Sequence, residues 1–214
     1  MKALRTRHRI ERVALELFDR DGYDNVSARQ VAEAAGVTER TFFRHFATKL
    51  EPLMGNPDQR IEYFTDLLRQ QPLHLDPLEA VLATIAHEEA EYPPTPEDLM
   101  RRRIVLATPS LLPEIQAFER AIERGFVEWL AERTGRSVDD FEIAVVASIL
   151  VVTRRNVFEA WSSSGGSETL LSLSRRALAT LDLHLDPATA GDAAGQEGDQ
   201  GVGRDGDASD DGEG

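Results

Sequence analysis

Positions 38 to 49 read Thr38-Glu-Arg-Thr-Phe-Phe-Arg-His-Phe-Ala-Thr-Lys49, a dense set of hydrogen-bond donors on one short segment. Arginine presents a rigid fork of N–H groups, so Arg40 suits the O6 and N7 atoms of guanine. Thr41 can touch a thymine methyl. Lys49 can neutralise a phosphate together with the backbone N–H groups of a helix opening beside it. His45 suits a phosphate as well, the alternative being a histidine satisfied by packing. Phe43 is an aromatic among basic neighbours, fit to lie against a sugar-phosphate backbone. Upstream, Arg29 and Ser27 belong to the same constellation. For Arg29 and Arg40 the plainer alternative is a solvated surface arginine.

These side chains need a frame, and the surrounding residues supply one. Ser27 and Gln30 have capping-box spacing, so a helix is expected from Ala28, with Val31, Ala32 and Ala35 as its small apolar face. Gly36 provides the left-handed residue that ends such a helix. Val37 plugs the corner, and Thr38 N-caps a second short helix whose Phe42 and Phe46 turn inward. Thr38, Glu39, Arg40, Thr41, Arg44 and His45 are then left outside. A preceding helix over 7–20 adds a third wall through Leu17 and Phe18, with Tyr23 behind it. Thr48 and Glu51 repeat the capping-box spacing and open a fourth helix. Two short helices about a glycine-containing turn make a helix-turn-helix, whose second helix lies in the major groove.

Charge distribution agrees with that placement. The 214 residues carry 24 Lys and Arg against 38 Asp and Glu, a net −14 that by itself argues against a nucleic-acid partner. Residues 1–50, however, hold ten basic against seven acidic side chains, or +3, while 51–185 are −9 and 186–214 are −8. Lys2, Arg5, Arg7 and Arg9 form a basic start that is either an arm for the minor groove or a frayed end. With no cysteine, disulfides, thiolate metal sites and a cysteine nucleophile are excluded. The histidines lack metal-ligand spacing, no serine sits in a nucleophile elbow, and no cofactor is expected. No apolar run approaches the roughly 20 residues of a membrane span, and a cytoplasmic location is expected.

Proline divides the rest of the chain. It is absent from 1–51 and 114–186 and clustered between, as expected for helical blocks around a punctuated middle. Apolar residues at helical spacing run through Leu78–Ile85 and Leu112–Leu130. A helix over about 139–161 has apolar coverage so wide that a second surface must cover it. A final helix is expected over about 167–184. Phe118, Ile122, Phe126 and Trp129, with Met100, Arg103 and Trp161, are candidates for a ligand pocket between helices, plain core being the alternative. Residues 186–214, with eight glycines and nine acids, are expected to be disordered.

Ala14-Leu-Glu-Leu-Phe18, Gly22-Tyr23, Val31-Ala-Glu-Ala-Ala-Gly-Val37 and Thr41-Phe-Phe-Arg-His-Phe46 followed by Lys49 together resemble the DNA-binding domain of TetR-family transcriptional regulators. The resemblance spans about Arg9 to Leu53 and places Arg29, Thr38, Arg40, Thr41, Phe43, His45 and Lys49 where the family contacts DNA. It implies a homodimeric regulator, expected to be a repressor, on a palindromic double-stranded DNA operator, released by a small and often hydrophobic effector. The expected architecture is all-α: a three-helix DNA-binding domain over 1–52, a larger helical bundle over 53–185, and the acidic tail over 186–214. The last two long helices are the candidate dimer face. In one respect the chain departs from the family: Pro52 and Gly55-Asn-Pro57 interrupt the usually continuous fourth helix, so a short helix, a kink and a new helix over about 58–70 are expected. The alternative function is a helical small-molecule-binding or enzymatic bundle whose helix-turn-helix mediates protein contacts.

Overall fold

Ser27 and Thr38 start the two helices that carry the candidate contacts. Ser27 Oγ accepts the Gln30 N–H at 3.2 Å, and Gln30 Oε1 accepts the Ser27 N–H at 2.8 Å, which opens α2 (Ala28–Ala34). Gly36, at φ 65°, turns the chain where a side chain would be strained. Thr38 Oγ1 then accepts the Thr41 N–H at 3.1 Å and opens α3 (Glu39–His45). Both rest on α1 (Lys2–Asp21), whose Ile10, Ala14, Leu15 and Phe18 are buried with Val31, Ala32, Phe42 and Phe46. Burying each such phenylalanine contributes about 1.5–3 kcal/mol, enough to fix the register of α3.

The computed structural model describes residues 2–181, and these are all-α with 3-10 turns at Tyr23–Asn25 and Pro109–Leu111. After α3 come α4 (Glu51–Met54) and α5 (Pro57–Arg69), split as the proline and glycine positions predict. Gly55 sits at φ 72°, and Asn56 Oδ1 accepts the N–H groups of Asp58 and Gln59 to restart the helix. The bundle continues through α6 (Pro77–Glu91), α7 (Pro96–Leu106), α8 (Leu112–Thr134), α9 (Phe141–Ser163) and α10 (Leu170–Leu178). Its core gathers Leu68, Ala80, Ile122, Phe126, Trp129, Leu130, Ile143 and Leu150.

α7 faces both ways. Its Ile104 and Val105 complete the N-terminal core, Arg103 pairs with Asp19 of α1 at 2.7 Å, and Arg101 donates to the carbonyls of Pro52 and Leu53 in α4. On its other side Arg102 approaches Glu159 of α9 at 3.8 Å.

Three expectations are corrected. The first helix begins at Lys2 rather than residue 7, so the basic start is helix and not an arm; Arg7 anchors it by donating to the His45 carbonyl and to Glu51. That use of Glu51 also breaks the second capping box. Thr48 Oγ1 accepts the Glu51 N–H at 3.3 Å, but the Glu51 carboxylate turns to Ala47 N–H and Arg7. Finally, α10 starts only at Leu170, because Thr169 and Glu89 cap its first N–H groups, and it closes at Leu178. The expected acidic tail lies outside the described residues. Among these, no helix is long and apolar enough to cross a membrane.

Candidate nucleic-acid interface and effector cavity

Burial of Phe42 and Phe46 turns the opposite side of α3 to solvent. Thr38, Arg40, Phe43 and Arg44 are exposed, while Thr41 and His45 are half-buried. Arg40 and Arg44 are one turn apart, and neither has a hydrogen bond or ion pair among the described residues. Thr41 is less free, its hydroxyl lying 2.9 Å from that of Thr38. Phe43 is 48% exposed and meets the edge of Phe42 at 5.2 Å, so its ring is held while one face stays open. Ser27 is exposed at the start of α2. Arg29 is also exposed, but its Nε donates to Glu33 at 2.8 Å, a bond that raises its pKa. A phosphate would have to compete with that carboxylate.

Lys49 plays a second part. Its Nζ donates to the Tyr23 carbonyl at 2.9 Å and lies 3.9 Å from the Tyr23 ring centre, tying the turn after α1 to the approach to α4. Partial burial holds its pKa below the ordinary lysine range. Two ammonium hydrogens remain for a phosphate. The sequence places Arg7 only in the basic start, whereas in the structure it locks the end of α3 through the His45 carbonyl and stacks 4.3 Å from Phe46. Its partner is 38 residues away and leaves no local signal.

The second site is a cavity of about 80 Å³ enclosed by α5, α6, α8, α9 and α10. Phe118, Ile122 and Phe126 line it, as their spacing on α8 suggested. The other four candidates fall elsewhere. Trp129 lies in the core with its ring 6.4 Å from Phe126, and Met100 packs on the N-terminal core. Arg103 is committed to Asp19, and Trp161 joins Leu99, Phe158 and Leu173 in a separate cluster. The residues that complete the lining, among them Arg60 and Phe64 of α5, Leu68, Val81 of α6 and Arg154 of α9, were not foreseen. They come from helices whose mutual packing no local pattern encodes.

Two family models cover most of the chain. One describes bacterial regulatory proteins of the tetR family and matches residues 10–51; the other describes the MftR C-terminal domain and matches 75–186. The transcriptional regulator TcmR of Streptomyces glaucescens is 33% identical over 168 residues, covering 75% of this chain and 74% of TcmR. The chain belongs to the TetR family. MftR of Mycobacterium tuberculosis is similar at 32% identity over 174 residues, 73% of this chain and 79% of its own length. Among solved structures, NalD of Pseudomonas aeruginosa, a repressor of a multidrug efflux pump, shares the fold at a TM-score of 0.61 and 20% identity, over 83% of this chain and 95% of NalD.

As a TetR-family member the protein is a DNA-binding transcriptional regulator with an MftR-type C-terminal domain, and not an enzyme. The enzymatic alternative therefore falls. Within the TetR-family head, the matched residues 10–51 contain every candidate DNA contact from Ser27 to Lys49.

Proposed function

We propose that the protein is a cytoplasmic homodimeric repressor that reads a palindromic operator with α3 and releases it when a small, largely apolar molecule fills the cavity. The observation that carries this reading is the outer face of α3, where Arg40 and Arg44 stand exposed and unpaired on a helix pinned by Phe42 and Phe46. Arg40 and Thr41 address base edges, whereas Ser27, Arg29, Thr38, Phe43, His45 and Lys49 position the head on the backbone.

One recognition helix covers only a few base pairs, so a two-fold partner is needed for a selective site. Of the last two helices, the expected dimer face, α9 offers the apolar surface for it. While Ile143, Val146, Ala147 and Leu150 are buried in the body, Phe141, Val145 and Val152 form an exposed apolar stripe; Phe141 is 80% exposed. A folded monomer at micromolar concentration in ultracentrifugation would remove the dimer.

The effector reading rests on the cavity and its route to the head. Phe64 and Leu68 of α5 line the cavity, and α5 follows α4 after only Gly55 and Asn56. A ligand that displaces α5 then acts on α4, which Arg101 of α7 holds by its carbonyls. Its leverage equals its difference in affinity between the two head spacings.

Fluorescence anisotropy with duplexes tiled across the gene's own upstream region tests the proposal. Tight binding to one duplex is expected, and Arg40→Ala should weaken it by about 1–3 kcal/mol and relax selectivity locally. Undiminished affinity in that variant would remove Arg40 from the interface.

A further inference from the structure

Arg154 is an unusual residue to find against an apolar cavity. It sits mid-way along α9, half-buried, and lines the cavity. Its guanidinium lies 5.4 Å from the ring centre of Phe118 and 4.8 Å from that of Phe158. Among the described residues it has no hydrogen bond and no ion pair. A second guanidinium, that of Arg60 on α5, lies 6.0 Å from the same Phe118 ring and is likewise without an ion-pair partner. Glu88 and Glu119 attract the Arg154 cation from a distance, but no carboxylate makes an ion-pair contact with either arginine among the described residues. Glu119 is taken by Arg155 at 3.5 Å, Glu159 is drawn to Arg102, and Glu88, which lines the cavity, forms no ion pair with either arginine.

Burial and the charge of Arg60 together push the Arg154 pKa down to about 10, burial being the larger cause. The group is therefore fully charged at neutral pH. Stacking on aromatic rings recovers only part of the hydration such a cation loses. An arginine fork left open toward a cavity matches the geometry of a carboxylate or phosphate, which accepts two parallel N–H bonds.

We propose that the cavity takes an amphipathic effector with a single anionic head group, held by Arg154 and Arg60 beside Phe118, its apolar body lying along Phe64, Ile122 and Leu150. This rests on the effector reading above and adds the chemical class of the ligand. Cation–π stacking against two rings holds the Arg154 guanidinium ready, and the exposed Arg60 adds a second positive charge beside it.

Calorimetric titration of the full-length protein with decanoate, decyl phosphate and 1-decanol tests the proposal, because the three share one apolar body. At least one anion should bind ten-fold or more tightly than the alcohol, and which one identifies the head group. Arg154→Met should abolish that preference while leaving decanol binding within about two-fold. Arg60→Gln, at an exposed position where folding is not at stake, should reduce the preference several-fold. Equal binding of alcohol and anions, or a preference that survives in Arg154→Met, would overturn the anionic head group yet leave the cavity as an effector site. Failure of all three ligands to bind would overturn both readings. Restoration of the preference by Arg154→Lys would show that charge, and not the side-chain stem, carries it.

Discussion

The two arginine sites of this protein are opposites. On α3, Arg40 and Arg44 stand in water on a frame of some twenty contiguous residues, and holding their charge there costs nothing. In the body, Arg154 and Arg60 line a cavity assembled from five helices between residues 60 and 178, and Arg154 has lost part of its hydration without gaining an ion-pair partner. The first site is built by positioning and the second by desolvation. In the proposed function the first gains through phosphate and base contacts that salt can screen. The other holds an unfavourable charge that a ligand can relieve.

The sharpest way to separate the two regions is to remove the frame of the first. Phe42 is fully buried, so Phe42→Ala should destabilise the head by about 3–5 kcal/mol and abolish operator binding. The body has its own core, centred on Phe126, Trp129 and Leu150, and should still bind its ligand. Thermal unfolding followed by circular dichroism, alongside calorimetry with decanoate, decides the matter. If ligand binding is lost with the head, the core shared through α7 makes the two regions one cooperative unit.

A smaller effect of opposite sign is expected in the cavity. Arg154→Met removes a half-buried charge that has no ion pair, so the ligand-free protein should gain at most about 1 kcal/mol. Arg40→Met, in water, should change stability by less than about 0.5 kcal/mol. The pH dependence follows from the lowered pKa. Below about pH 10 both folded and unfolded chains hold the proton, so the penalty is constant; it fades only as pH rises beyond about 10. The stability gap between Arg154→Met and the wild type should accordingly be flat between pH 6 and 9 in denaturant titrations. A less stable variant would make Arg154 a packing residue.

The same contrast explains what could be read from sequence. The head was legible because each instruction acts over a few residues: Ser27 on Gln30, Gly36 at one turn, Thr38 on Thr41, Phe42 and Phe46 on one face. The break at Gly55 was legible for the same reason. The cavity was legible only along α8, where Phe118, Ile122 and Phe126 share a helix face. Arg154 falls among valines and a neighbouring arginine in α9, and nothing within four residues marks it as unpaired. Met100 and Arg103 misled because helical spacing gives a residue's face and not its partner; α7 turns that face to α1.

Lys49 tests how clean the division is, since it stands in the helix-turn-helix head but is partly desolvated like Arg154. Lys49→Met keeps the stem beside Tyr23 and removes the ammonium, with the hydrogen bond to the Tyr23 carbonyl. A stability loss of about 1 kcal/mol is expected. If the remaining N–H groups also meet a phosphate, the slope of log affinity against log salt should fall by about one. Both changes together would make Lys49 a staple and a contact at once. A stability loss with an unchanged salt slope would leave it a staple alone.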